Sequence, residues 1–281
     1  MKIVAQLAGG LGNQLFIYAM GRATSIRNAI PLSLDARSGY KNDHFERSFL
    51  LDKFNICADL ATRSESSDFP GGSILRSLSF RVNSLLPYER RWILNENSHK
   101  FESEFLAVLR KSVYLSGYWQ SYRYFQDVAP QIKKDLTLKS LLDGENRDIE
   151  LEIVNSESVS IHVRQDNLSH SLNLDYYFRA VEILKSKVKN PKYFVFSDSP
   201  KMSVELSAAL QARLVDVNNQ DECYKDLALM SRCRHHIAAN STFSWWGAWL
   251  ADSKGKQVVV PESIRKFNAD IIPPEWIVLD Y

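Results

Sequence analysis

The chain has 281 residues, 45% of them hydrophobic and 24% charged, which suits one large or two ordinary globular domains with real cores. Its 35 basic and 33 acidic residues leave a formal charge of +2, so there is no global electrostatic case for nucleic acid as a partner. No run of about 18 apolar residues occurs, and no membrane-spanning helix is expected.

The amino terminus reads Met1–Leu7 and then turns at glycine, without the long apolar core of a signal peptide. Ile3–Leu7 predicts a strand, Gly9–Gln14 a tight turn, Leu15–Arg27 a helix and Leu32–Leu34 a second strand. The Gly-x-Gly turn at Gly10 and Gly12, with Asp35 ending the second strand, invites a dinucleotide-binding reading. Leu15 stands where the third glycine would be, and Asn13-Gln14 put bulky amides where a pyrophosphate would press. Thr62–Gly72 reads as a loop. The stretch Ile74–Arg91 is apolar with Arg76, Arg81, Arg90 and Arg91. It is either an ordinary packing helix with snorkelling arginines or a basic surface that approaches an anionic membrane. Val113–Tyr118 alternates like a strand and Ser121–Asp135 reads as a helix. The aromatic segment Gly117–Phe125 between them is mostly core material. Trp119 and Gln120, at the strand end, are the better candidates for contact with a sugar. Leu142–Arg147 is polar and contains glycine, which makes it the candidate linker, with domains at 1–145 and 146–281.

The second half alternates strand and helix patterns. Strands are expected at Val159–Val163, Tyr193–Phe196, Leu214–Val217, Ile237–Ala239 and Gln257–Val260. The helices between them are Asp175–Lys189, Met202–Ala212, Glu222–Cys233 and Phe243–Asp252. This order argues for an α/β fold with a parallel sheet covered on both faces. It places His162 and Arg164, Ser197 and Asp198, and Asn240 and Ser241 at carboxyl ends of strands, where open α/β sheets bind ligands. His162 and Arg164 share a face by strand alternation. A guanidinium suits phosphate oxygens, and a structural Arg–Asp pair is the plain alternative. Asp198 can accept from a nucleobase or can cap the next helix. Asn240, Ser241, Thr242 and Ser244 open a helix, so a phosphate would meet hydroxyls and backbone N–H groups there. No Asp-x-Asp occurs, so a diphosphate would have to be neutralised by Arg164 and that helix start, without a metal. Cys57, Cys223 and Cys233 are odd in number and lack Cys-x-x-Cys spacing. They read as thiols in a reducing cytosol, with no disulfide and no metal.

Gly9–Phe16, Gly117–Ser121, His162-Val163-Arg164, Phe196-Ser197-Asp198 and Ala239–Leu250 together resemble the bacterial α-1,2-fucosyltransferases of glycosyltransferase family 11. The resemblance implies a GT-B-like fold of two Rossmann-like domains facing across a cleft, the N-terminal one on the acceptor side and the C-terminal one holding the donor. It implies inverting, metal-independent transfer from GDP-fucose, with no cofactor. The acceptor would be the 2-hydroxyl of a galactose-containing glycan of O-antigen type, lipid-linked acceptors included. The expected location is the cytoplasm, with peripheral contact at the inner face of the membrane. In such a site Arg164, Asn13 and Asp166 are the catalytic candidates. His162, Arg164, Asp198, Asn240, Ser241, Thr242 and Ser244 would bind the donor, and Gln14, Trp119 and Gln120 the acceptor. The general base is open between Asp166 and His170. The family usually reads His-x-Arg-Arg-Gly-Asp-Tyr, whereas this chain has Gln165 in place of the second arginine and then Asp166-Asn167. Losing one guanidinium from a desolvated diphosphate site costs about 2–3 kcal/mol. Three alternatives stay open: a non-catalytic nucleotide- or glycan-binding homologue, a transferase of another nucleotide-sugar, and an NAD-dependent oxidoreductase.

Overall fold

The computed structural model describes residues 1–41, 43, 47–66, 82–96, 98, 100–164, 172–198 and 200–280. The chain forms two compact units, one of residues 1–137 and 267–271, the other of 138–266 and 272–281. The chain first crosses between units at 137/138 rather than 145/146, and the expected linker Leu142–Arg147 instead runs into a helix. Polar composition suggested a linker there; Ile149 and Ile153 give that helix a buried stripe and hold it in the second unit.

The first unit carries a parallel five-stranded sheet in the order β3-β2-β1-β5-β4. Its strands are β1 (Ile3–Gln6), β2 (Leu32–Asp35), β3 (Asp59–Leu60), β4 (Ile93–Asn95) and β5 (Val113–Ser116). The helix α1 (Leu11–Asn28) begins four residues earlier than its periodicity suggested, so Asn13 and Gln14 sit in its first turn rather than in a loop. It is buried almost all round, from Leu15 through Ala23, as a helix between a sheet and further structure must be. The stretch expected as one helix at Ser121–Asp135 is two 3₁₀ turns followed by α2 (Ala129–Asp135). Phe125 breaks it: its backbone leaves the helical region at φ −140°, and its ring packs on Phe16 at 6.1 Å. Asp135 then ties α2 to α1, accepting from Tyr18 Oη and Arg22 Nε, each at 2.8 Å.

The second unit has a parallel six-stranded sheet in the order β11-β10-β9-β6-β7-β8. The strands are β6 (Ser158–Val163), β7 (Lys192–Ser197), β8 (Arg213–Val215), β9 (His235–Ile237), β10 (Val258–Pro261) and β11 (Ile277–Leu279). The helices are α3 (Gly144–Val154), α4 (Leu174–Lys185), α5 (Pro200–Leu210), α6 (Cys223–Arg232) and α7 (Thr242–Leu250). Alternation sorts the core onto two faces. Val159, Ile161, Val163 and Val195 pack with Tyr176, Tyr177 and Leu184 of α4 and Leu206 of α5. Phe194 and Phe196 pack with Ile149 and Ile153 of α3 and Leu229 and Met230 of α6. Gly247 lets α7 lie against α6: a Cβ there would come within 2.9 Å of the Met230 methyl. No described helix is long and apolar enough to cross a membrane.

Candidate functional site

In the second unit β6 is the switch point of the sheet. From it the chain moves to β7 and β8 on one side, then returns to β9 on the other. Such a reversal opens a crevice at the carboxyl ends of the two central strands. Arg164 follows β6, Asp198 follows β7 and Asn240-Ser241 follow β9, and β9, β6 and β7 are neighbours. Three segments far apart in sequence therefore meet on one rim. Arg164 Nε stands 3.7 Å from Asp198 Oδ2, with the two side chains 35% and 37% exposed. A pair that long and that wet contributes little to stability. His162 points to the opposite face from Ile161 and Val163, is 5% exposed, and lays its ring 5.4 Å from that of Phe243 at the start of α7.

The helix start corrects one expectation. Ser241 caps α7, its hydroxyl accepting from Phe243 N at 3.2 Å, and it is 4% exposed. Ser244 is buried and folds back on the strand end, accepting from Ala239 N at 3.1 Å. The Ser244 hydroxyl is thus committed to building the turn, and Ser241 uses a lone pair on it while its O–H remains a donor, because a strand that turns this sharply into a helix leaves backbone groups that must be satisfied. Asn240 and Thr242 are half-buried at the rim, and Asn240 Oδ1 has no partner among the described residues. Gln165, Asp166 and His170 lie outside the described residues.

The first unit repeats the arrangement at the carboxyl ends of β1 and β5, again neighbours at a switch point. Gly9 has φ +73°, and a Cβ there would strike Asn13 Nδ2 at 2.5 Å. Gln120 Nε2 donates to Asn13 Oδ1 at 3.0 Å, so these two candidates do come together. Gln14 does not join them. It is fully buried, donates to Gly9 O and Ser48 O at 3.2 and 2.8 Å, and accepts from Leu50 N at 3.0 Å. Its amide is spent on holding the 48–50 segment and leaves no group for an acceptor sugar. Trp119 is likewise a core residue: it has no exposed surface and sits edge-on to Phe105 at 4.8 Å and Tyr124 at 5.7 Å. Its backbone is left-handed at φ 55°, which turns the ring inward and the chain on toward Gln120. Glu96 holds that turn, its Oε2 accepting from Tyr118 N and Trp119 N, each at 2.8 Å.

Asp35 weakens the dinucleotide alternative. Its carboxylate accepts from the hydroxyls of Ser38, Ser66 and Tyr114 at 2.6, 2.9 and 2.6 Å. Burial opposes its ionisation, but these hydrogen bonds and two backbone N–H groups outweigh it and hold the carboxyl below its ordinary range. A ribose would have to displace three satisfied hydroxyls from it.

Sequence reasoning missed several residues around these rims. Tyr176 and Tyr177 donate to Ala238 O at 2.7 Å and His162 O at 3.1 Å, fastening the ends of β9 and β6 from beneath. The adjacent Tyr-Tyr pair was visible, but i and i+1 diverge on a helix and carry no signal of a shared target. Cys223 and Asp226 open α6. Burial pushes the Cys223 thiol up to about 12, and Arg164 lies near enough to pull against that shift. Asp226 is held by Asn218 Nδ2 at 2.6 Å, and Asn218 in turn exchanges hydrogen bonds with Asn146. Burial raises the Asp226 carboxyl to about 6, with Asn218 pulling the other way. The folded state thus binds this proton more tightly than the unfolded chain, so stability is greatest below the ordinary carboxyl range and falls as pH rises through about 6. Asp226→Asn keeps the acceptor for Asn218 and is expected to stabilise the fold at pH 8 by about 1–3 kcal/mol, with no gain at pH 4. Thermal melts at the two pH values check this; equal gains at both would show that the carboxyl is not strained.

The sequence profile of glycosyl transferase family 11 matches residues 3–280. The chain belongs to that family. Among family relatives, an α-1,2-colitosyltransferase of Escherichia coli is 33% identical, over 99% of this chain and 99% of its own length. The O-antigen biosynthesis glycosyltransferase WbnK of E. coli is 31% identical over 91% of this chain and 92% of its own. The galactoside α-(1,2)-fucosyltransferase 1 of mouse is 28% identical over 70% of this chain and 57% of its length. Among solved structures, the fucosyltransferase NodZ from Bradyrhizobium superposes with a TM-score of 0.54 at 16% identity, covering 88% of this chain and 92% of that one. The fold of this family 11 glycosyltransferase is thus GT-B-like, built of two parallel-sheet α/β domains. Among its described residues no three His, Cys, Asp or Glu side chains gather to hold a metal.

Proposed function

We propose that this glycosyltransferase moves L-fucose from GDP-fucose to the 2-hydroxyl of a galactose-type acceptor in a cell-surface glycan, with inversion and without a metal. The observation that carries the reading is the convergence of Arg164, Asp198, His162 and the start of α7 on the rim of one switch point. As the bond to the sugar breaks, negative charge builds on the departing diphosphate. Arg164 offers a permanent charge and a planar donor fork to it. Thr242 and Asn240 add polar groups from the helix start, and His162 and Asp198 flank the guanidinium where the nucleoside would lie. In the first unit Asn13, fixed by Gln120, is the amide that orients the fucose or the acceptor hydroxyl. The proton of that hydroxyl passes to Asp166 or His170.

A second donor has a specific observation behind it, the relative named a colitosyltransferase that matches along the whole chain. Colitose is fucose without its 3-hydroxyl, so the two donors differ at one polar contact. A site that hydrogen-bonds the 3-hydroxyl rejects the deoxy sugar strongly, whereas an apolar one discriminates weakly. The experiment is product formation on galactosides in EDTA with GDP-fucose, GDP-colitose, GDP-mannose and UDP-sugars. Turnover of GDP-fucose at least tenfold above the others is expected. Preference for GDP-colitose would reassign the donor and keep the chemistry. GDP binding by calorimetry without transfer from any donor would make the protein a binding homologue.

A further inference from the structure

The residues just before β4 and β5 lie at the amino ends of the first unit's sheet, the rim away from Asn13 and Gln120. The segments leading into β4 and β5 carry two of the three most exposed large apolar side chains among the described residues, Leu85 and Val108, the third being Leu141. Leu85 is 85% exposed, Val108 82%, Val82 53% and Trp92 39%. Single exposed apolar side chains are ordinary. Here the two segments that bear them are fastened together. Tyr88 and Phe105 meet edge to face at 5.9 Å, Lys111 Nζ donates to Arg90 O, and the same ammonium lies 5.9 Å over the Trp92 ring.

The tip that bears Leu85 is also rigidly held. Asn83 accepts from Trp92 N and Ile93 N at 2.9 and 3.0 Å and donates to Ile93 O at 2.7 Å, while Arg91 Nε donates to Leu86 O at 3.0 Å. A leucine presented on so fixed a turn loses little further freedom when it is buried elsewhere. Arg90, Arg91, Arg110 and Lys111 stand in the same two segments, against Glu89 and Glu104. In a chain of net charge +2 this is a local excess of cations.

We infer that this rim docks on an anionic lipid bilayer. Leu85 and Val108 enter the boundary between headgroups and acyl chains, Trp92 lies at headgroup depth, and the guanidinium and ammonium groups meet lipid phosphates. Neither feature suffices alone, since stable attachment takes apolar insertion together with a basic patch. Asn13 and Gln120 lie at the other end of the sheet. This inference is independent of the donor assignment, because its test contains no sugar nucleotide.

The full chain is sedimented with phosphatidylcholine vesicles and with vesicles that also contain phosphatidylglycerol. The expected result is about tenfold stronger partitioning onto the anionic vesicles, weakened by salt. Arg110→Gln is expected to lower it roughly fivefold, and Leu85→Ser with Val108→Ser several-fold. Transfer to a soluble acceptor stays unchanged in all three variants. Equal partitioning onto both kinds of vesicle, or variants that bind like the parent, would overturn the inference. So would light scattering that shows a dimer without vesicles which Leu85→Ser dissolves, since the patch would then belong to a second copy of the chain.

Discussion

Replacing Arg164 by alanine is expected to lower kcat about 10²–10³-fold while leaving the melting temperature nearly unchanged. The asymmetry follows from the geometry. At 3.7 Å, with both partners about a third exposed, the contact with Asp198 is worth well under 1 kcal/mol to the fold. A guanidinium that hydrogen-bonds the departing diphosphate is worth about 3–4 kcal/mol to the transition state. Gln165 supplies no second cation, so the loss has no obvious compensation. Arg164→Lys keeps the charge without the planar fork and should fall between, about tenfold below the parent. Steady-state kinetics beside thermal melts separate the two roles. A variant that melts well below the parent and turns over normally once folded would make Arg164 a structural partner of Asp198.

Gly39→Ala is expected to destabilise the first unit by about 3 kcal/mol. The added Cβ would sit 1.9 Å from Leu7 O and 3.0 Å from Ala8 Cβ. The obstacle is the carbonyl at the end of β1, whose residue is itself fixed by Leu7 N donating to Asp35 O at 3.0 Å. It cannot move without disturbing the switch point that presents Gly9 and Asn13. Gly247→Ala is the informative contrast. Its new methyl would meet Met230 Cε at 2.9 Å, which can swing aside, and Met230 Cβ at 3.0 Å, which needs a shift of only a few tenths of an ångström between helices, so a smaller cost of about 1–2 kcal/mol is expected. Differential scanning calorimetry of the two variants gives the comparison. Similar costs would mean that the approach of Gly39 to β1 relaxes freely.

The two α/β halves were legible because parallel strands buried on both faces are written as short β-branched runs, and β6, β7 and β10 follow that pattern directly. Strand ends were legible for the same reason, which is why Arg164, Asp198 and Asn240 could be placed on one rim before any coordinates. The elements that went unread are the short ones. β3, with two residues, and β4, with three, have too few positions for a period to repeat. β11 is split from its neighbours by the 267–271 segment, which folds with the other unit. At Ser121–Asp135 the helical period was present, but tertiary packing of Phe125 on Phe16 overrode it.

The sequence by itself determined the family, the alternation of the longer strands and helices in the second half, and which residue types stand at their ends, because those depend on local pattern and short motifs. Only the tertiary structure decided how each polar group is used. Gln14, Trp119 and Ser244 look like ligand contacts in one dimension, yet each is consumed by the fold. The physical reason is that a hydrogen-bonding side chain serves the nearest unsatisfied group. At a tight turn that group is the protein's own backbone, and whether anything remains for a substrate depends on neighbours brought from distant parts of the chain.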